Sequence, residues 1–339
     1  MKVRVDWVDI SKLFGMFFIY LGHLGSKSGL AYPWVYTFHV PLFFFLSGCL
    51  ENYNKKNLSN NFKSKIISLL IPFYFFSILV SLLVAVNTNS TDIIKRFVSI
   101  WINGGIRNTL PVGTGLWFLT CLFIIEVLFS IIKKLKNKIL IVIVCLMFYI
   151  YAVYFINPSP ITNPHWIWNI DSAFYYLIFY CIGWISFNHL NKLFDSESNK
   201  GRIVIFVLTF LSFVYSGLLF FNKNIFLITN ISTSYFKLIT DLLTPLVTIF
   251  LVISISNYLR NFEYLKKMGK NSLYLCGSEY LIKVLLTTSL SLVGVTINLS
   301  TPLSYFIYAV FLLVLVNHLL VPFEKRLLGK IQMSLKKYL

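Results

Sequence analysis

Two histidines stand in apolar surroundings near the start of the chain. His23 closes the run Leu13-Phe14-Gly15-Met16-Phe17-Phe18-Ile19-Tyr20-Leu21-Gly22. His39 lies inside Phe38-His39-Val40-Pro41-Leu42-Phe43-Phe44-Phe45-Leu46-Ser47-Gly48. Imidazole is the usual general base for a weakly acidic hydroxyl. In lipid it is costly unless it faces protein or water, which makes an intramembrane histidine a functional candidate. Lys12 precedes His23 by eleven residues. On a helix that is close to three turns, so the two point within about 20° of each other and lie ~16 Å apart along the axis. Asp9, Lys12, Met16, Ile19 and His23 recur every three or four residues and share one face. Each histidine alone fits a bland reading, satisfied by a backbone carbonyl at a helix end or interface. Two on adjacent spans, with a co-facial lysine, point to one acid–base site. Asp9, one turn before Lys12, reads first as its ion-pair partner.

The elements that position these residues are helices in a membrane. The 339 residues have a mean hydropathy of +0.76 and only 12% charged residues, against about 25% in a soluble protein. Apolar runs predict ten spans: 7–24, 34–50, 66–86, 115–132, 139–156, 171–188, 203–221, 237–256, 272–294 and 303–321. Each approaches the ~20 residues that cross ~30 Å of hydrocarbon. The runs do not alternate, which excludes a β-barrel. The expected fold is an all-α polytopic membrane protein forming one domain over 1–339, with 322–339 as a basic tail. The charge of +18 does not mark nucleic acid as a partner, because 23 of the 30 Lys and Arg fall on one side of the ten-span topology. By the positive-inside rule that side is the cytoplasm and holds both termini, in an inner or plasma membrane. The connection 87–114, rich in Asn and Gly, reads as irregular. It is either a substrate entrance or lid, or a plain connector.

Other polar residues have quieter readings. Lys63 and Lys65 are phosphate-binding candidates or topology signals. Glu279 and Lys283 have ion-pair spacing. Glu126 and Asp241 are cavity candidates with no partner named. Trp117, Trp166 and Trp168 read as interfacial anchors, and His165 and His189 as loop residues. The five cysteines have no paired spacing and read as packing residues. No Cys/His spacing suggests a metal, and none is expected.

Several blocks in order resemble the acyltransferase-3 family of membrane O-acyltransferases, in particular its stand-alone surface-polysaccharide O-acetyltransferases. They begin with Arg4, Trp7, Asp9, Lys12 and Gly22-His23, and continue with Phe38-His39 through Ser47-Gly48. Phe62-Lys63-Ser64-Lys65, Ile71-Pro72-Phe73-Tyr74, Gly115-Leu116-Trp117-Phe118-Leu119, Tyr175 through Gly183, and Gly269-Lys270-Asn271-Ser272-Leu273 follow. Lys12 stands where many members have arginine, which keeps the charge and loses the bidentate fork. Cys276-Gly277-Ser278-Glu279 stands where many have a histidine. The resemblance implies acetyl transfer from cytosolic acetyl-CoA to a hydroxyl of a surface polysaccharide or its lipid-linked precursor. It implies His23 as base, His39 as acceptor-positioning, relay or carbonyl-polarising group, and Lys12 toward the donor. Lys63 and Lys65 would be further phosphate ligands, with Asp9 and Trp117 in support. A transporter of a lipid-linked sugar or small solute is the alternative.

Overall fold

A computed structural model describes residues 5–51, 58–87, 100–107, 115–196, 198–221 and 234–336. Arg4 and most of the 87–114 connection lie outside the described residues. The helices are α1 (Asp6–Gly22), α2 (Ala31–Glu51), α3 (Leu58–Lys65), α4 (Ile71–Asn87), α5 (Trp117–Ile132), α6 (Lys138–Tyr154) and α7 (Ile170–Phe194). They continue with α8 (Asn199–Phe220), α9 (Ser234–Tyr258), α10 (Glu263–Gly269), α11 (Ser272–Leu292), α12 (Pro302–Leu315) and α13 (Val321–Leu335). No strand occurs among the described residues. Helices are what a bilayer demands, since every backbone N–H and C=O must be paired within the protein.

Among the described residues six helical segments are long and apolar enough to cross a membrane: Ala31–Glu51, Phe62–Leu83, Ile167–Phe194, Asn199–Phe220, Leu238–Tyr258 and Pro302–Leu335. The chain is therefore an all-helical multi-pass membrane protein. The four other expected spans coincide with α1, α5, α6 and α11. The first three of these have 17, 16 and 17 residues, ~25 Å of helix each. Two long segments are continuous through π-helical turns: α3 to α4 through Ile66–Leu70, and α12 to α13 through Val316–Leu320. The helix carrying the third expected span thus begins at Leu58, with its apolar segment from Phe62, and most of the expected tail is helix. His189, read as a loop residue, lies within α7.

The contacts sort into two compact units. The first comprises Met1–Tyr53, Ile182–Ser272 and Leu299–Phe311. Its core joins Trp7, Phe38, Leu42, Phe45, Phe187 and Ile253, with α1 packed on α2, α9 and α10. Trp7 Nε1 donates to Asn191 Oδ1 at 2.9 Å. A Cβ on Gly183 would stand 2.0 Å from the Phe45 carbonyl oxygen. Glycine there lets two of the resemblance blocks touch through backbone.

The second unit comprises Asn54–Cys181, Leu273–Asn298 and Leu312–Leu339. Aromatic side chains fill it: Phe129 meets Tyr180 edge-on at 4.9 Å and Tyr149 lies 5.0 Å from Tyr175. α13 is fastened at two heights. Gln332 Nε2 donates to the Ile67 carbonyl at 2.9 Å, and Ser278 Oγ on α11 donates to Glu324 Oε1 at 2.5 Å.

Candidate active site

In the first unit the histidines sit on the packed pair α1 and α2. His23 is the C-terminal cap of α1, its backbone N–H donating to the Ile19 carbonyl at 2.9 Å, and its side chain is exposed. Next to it, a Cβ on Gly22 would stand 3.3 Å from both Val35 and Tyr36 of α2. The Tyr36 ring meets the His39 ring edge-on at 5.0 Å. The end of α1 that carries His23 is thus set against the turn of α2 that carries His39.

His39 is buried, with Nδ1 2.7 Å from the Val35 carbonyl one turn back. A carbonyl only accepts, so Nδ1 carries the hydrogen. In the neutral ring the lone pair is then on Nε2, which is the atom able to take a proton.

Lys12 Nζ lies 3.7 Å from Asp9 Oδ1, as the i,i+3 spacing anticipates. Asp9 is buried, and its Oδ2 has no hydrogen-bond partner among the described residues. The Asp9 backbone is pinned from outside its helix, since a Cβ on Gly269 would stand 1.9 Å from the Asp9 carbonyl oxygen. The Gly-Lys-Asn-Ser-Leu segment therefore abuts the first helix at its acidic turn. Lys266 of α10 pairs with Asp6 at 3.2 Å and with Glu263.

In the second unit Lys65 Nζ lies 2.7 Å from Glu126 Oε1. Glu126, a cavity candidate without a named partner, is thus the counter-ion of Lys65. Lys63 is exposed. Glu279 and Lys283 form the expected pair.

Trp117 departs from its reading as an interfacial anchor. It is buried, and the Arg107 guanidinium carbon stands 4.8 Å from its ring centroid. Arg107 also donates from Nη2 to the carbonyls of Pro160, at 2.8 Å, and Ile161, and from Nη1 to Tyr176 Oη at 3.5 Å. Its backbone N–H donates to Asn169 Oδ1 at 2.9 Å. Asn169 Nδ2 in turn donates to the Gly105 carbonyl and to Thr120 Oγ1. Asp171 is fully buried and accepts the backbone N–H groups of His165 and Trp166.

Sequence reasoning passed over Arg107, Asn169 and Asp171. Arg107 looked like one loop charge among seven on the outer side, and the carbonyls it meets come from a connection more than fifty residues away. The available signal was an arginine beside Gly104 and Gly105, shortly ahead of the Gly-Leu-Trp block.

No three His, Cys, Asp or Glu side chains converge as metal ligands among the described residues. The described residues do hold polar pairs, Lys12 with Asp9 and Lys65 with Glu126, and the buried His39. Residues 5–319 match the acyltransferase-3 family, described as an acyltransferase domain. The chain belongs to that family and is a membrane acyltransferase. Neither curated proteins nor solved structures gave a match.

Proposed function

We propose that this protein moves an acetyl group from cytosolic acetyl-CoA to a hydroxyl of a cell-surface polysaccharide or its lipid-linked precursor. It would act in an inner or plasma membrane, crossing ten times with both termini cytoplasmic, the whole chain serving as one transferase domain. The observation that carries the reading is the setting of His23 beside the His39 turn, in a chain belonging to an acyltransferase family.

His23 is the general base. Its ring nitrogen takes the proton of the acceptor hydroxyl as that oxygen attacks the thioester carbonyl carbon. The tetrahedral intermediate collapses with loss of the C–S bond, the imidazolium returns the proton to the leaving thiolate, and the products are the O-acetyl ester and free CoA. Such a base contributes typically 10²–10⁴-fold. His39, with its tautomer set by Val35, positions the acceptor or polarises the carbonyl. Lys12 faces the donor, with Asp9 as its counter-ion. On the second unit Lys63 is the exposed candidate for donor phosphate, and Lys65 is held by Glu126.

Purified protein in liposomes with labelled acetyl-CoA and surface polysaccharide tests this reading. Label on the carbohydrate supports it. Flux of a sugar or solute without acetylation would establish the transporter instead.

A further inference from the structure

Helices α6 and α7 of the second unit share a seam of ring contacts. The Phe148 and Phe174 centroids are 4.7 Å apart, those of Tyr149 and Tyr175 5.0 Å, and those of Tyr151 and Phe174 6.2 Å. On α6 the buried residues are Ile141, Cys145, Tyr149 and Ala152, a stripe at every third or fourth position and so one face of the helix. One turn before Tyr149 that stripe carries Cys145. Across the seam Cys181 lies on α7 beyond Tyr175, and the two thiols are hydrogen-bonded, one S–H donating to the other sulfur. Moving back along α6 from Tyr149 thus moves forward along α7 from Tyr175, as in an antiparallel pair. The ring contacts and the thiol contact describe one arrangement.

The other cysteines have different surroundings. Cys49 lies in the core of the first unit. Cys276 Sγ donates to the Gly115 carbonyl at 3.6 Å, and Cys121 sits on α5 in the field of Arg107 and Asp171. Cys145 and Cys181 are both fully buried and both free thiols. Packing at this seam asks only for small side chains. Paired sulfur adds a reaction that alanine or serine lacks. Facing cysteines whose sulfurs already touch need the least backbone movement to reach disulfide geometry. Their burial keeps out bulky or charged reagents, so the oxidant that suits them is small and neutral.

We propose that Cys145 and Cys181 are a redox-reactive dithiol, a modification site that a small neutral two-electron oxidant closes to an intrachain disulfide. Two S–H bonds break and one S–S bond forms. The two electrons and two protons pass to the oxidant, an azodicarboxamide becoming its hydrazine or a quinone its hydroquinone. An added dithiol reopens the bond by exchange. The closed loop contains Pro160 and Ile161, whose carbonyls hold Arg107, and the buried Asp171. The site is separate from the acetyl-transfer reading and stands or falls without it.

Counting thiols tests this. Full-length protein in detergent is exposed to tetramethyl azodicarboxamide, then denatured and alkylated. The count of alkylated cysteines is expected to fall from five to three, the loss of one pair, and to return to five after dithiothreitol. Peptide mapping is expected to join Cys145 to Cys181. Cys145→Ser and Cys181→Ser, close in size to the parent side chains, should each keep all four remaining thiols through the same treatment. A tetramethylated benzoquinone, to whose ring no thiol adds, is the second oxidant. Five alkylated cysteines after both oxidants overturn the proposal and leave the pair as packing residues. A disulfide mapped to any other pair overturns it as well. The closed form is expected to melt several degrees above the reduced one, because the bond restricts the unfolded chain. An equal or lower melting temperature overturns the disulfide as one that the native α6–α7 packing accommodates.

Discussion

The His23–His39 region of the first unit and the Arg107 region of the second handle polarity in opposite ways. The histidines depend on short-range contacts. His39 is oriented by a carbonyl four residues back in its own helix, and His23 caps the helix it ends. Arg107 is oriented from far along the chain, by Pro160, Ile161, Asn169 and Tyr176. A group fixed by its own helix can be read from spacing. A group fixed by a remote connection cannot. The first arrangement orients a group from within one helix, and the second uses a charge to hold two connections together.

The largest expected effect falls on the histidine side. His23→Ala should lower acetyl transfer by roughly 10²–10⁴-fold, the range of a lost general base, while the protein still inserts and accumulates. Normal product acetylation in that variant would remove His23 from the mechanism. His39→Asn sharpens the contrast, because the amide can still donate to the Val35 carbonyl yet cannot accept a proton as Nε2 does. We expect a loss of about 10²-fold at unchanged thermal stability. Full activity would make His39 a packing residue.

On the other side, breaking one partner of a buried ion pair costs roughly 3–5 kcal/mol. Glu126→Ala, which strands Lys65, should therefore lower the melting temperature in detergent, and a double Glu126→Ala, Lys65→Met variant should recover most of it. No recovery would show that Lys65 and Glu126 act independently. Lys63→Ala should raise the acetyl-CoA KM several-fold, since an ion pair of an exposed lysine is worth about 0.2–1 kcal/mol, and leave stability alone.

The smallest effect is at the exposed Glu263. Hydrogen bonding to Lys266 holds its carboxyl below the usual carboxylate range. A depressed carboxyl stabilises the fold above its unfolded value and loses that contribution as pH falls through the folded one. Because the group is exposed that contribution is small, so Glu263→Gln should melt only slightly below the parent between pH 6 and 8, and level with it once the carboxyl is protonated at low pH. A distinct drop there would assign the Asp6–Lys266–Glu263 cluster a larger structural part.

Several features were readable in advance because they are properties of one helix. The spacing of Asp9 and Lys12, and of Glu279 and Lys283, gave pairs that the structure contains. Continuous apolar runs located the helices within a few residues, apart from the early start at Leu58 and the helical Val321–Leu335. The burial of Trp117 was not readable. Tryptophan at the head of a span is ordinarily an anchor, and only the arrival of Arg107 over its face makes it a core residue. Glu126 likewise gained a meaning only when Lys65, sixty-one residues earlier, was seen beside it.

The amino-acid sequence by itself determined an all-helical membrane protein with two early histidines and a co-facial lysine. Hydrophobic length and helical period depend on neighbours a few residues apart. The tertiary structure alone decided which histidine is buried, which lysine is already paired, and which carbonyls Arg107 meets. Those outcomes depend on where segments far apart in the chain meet, which no local spacing specifies.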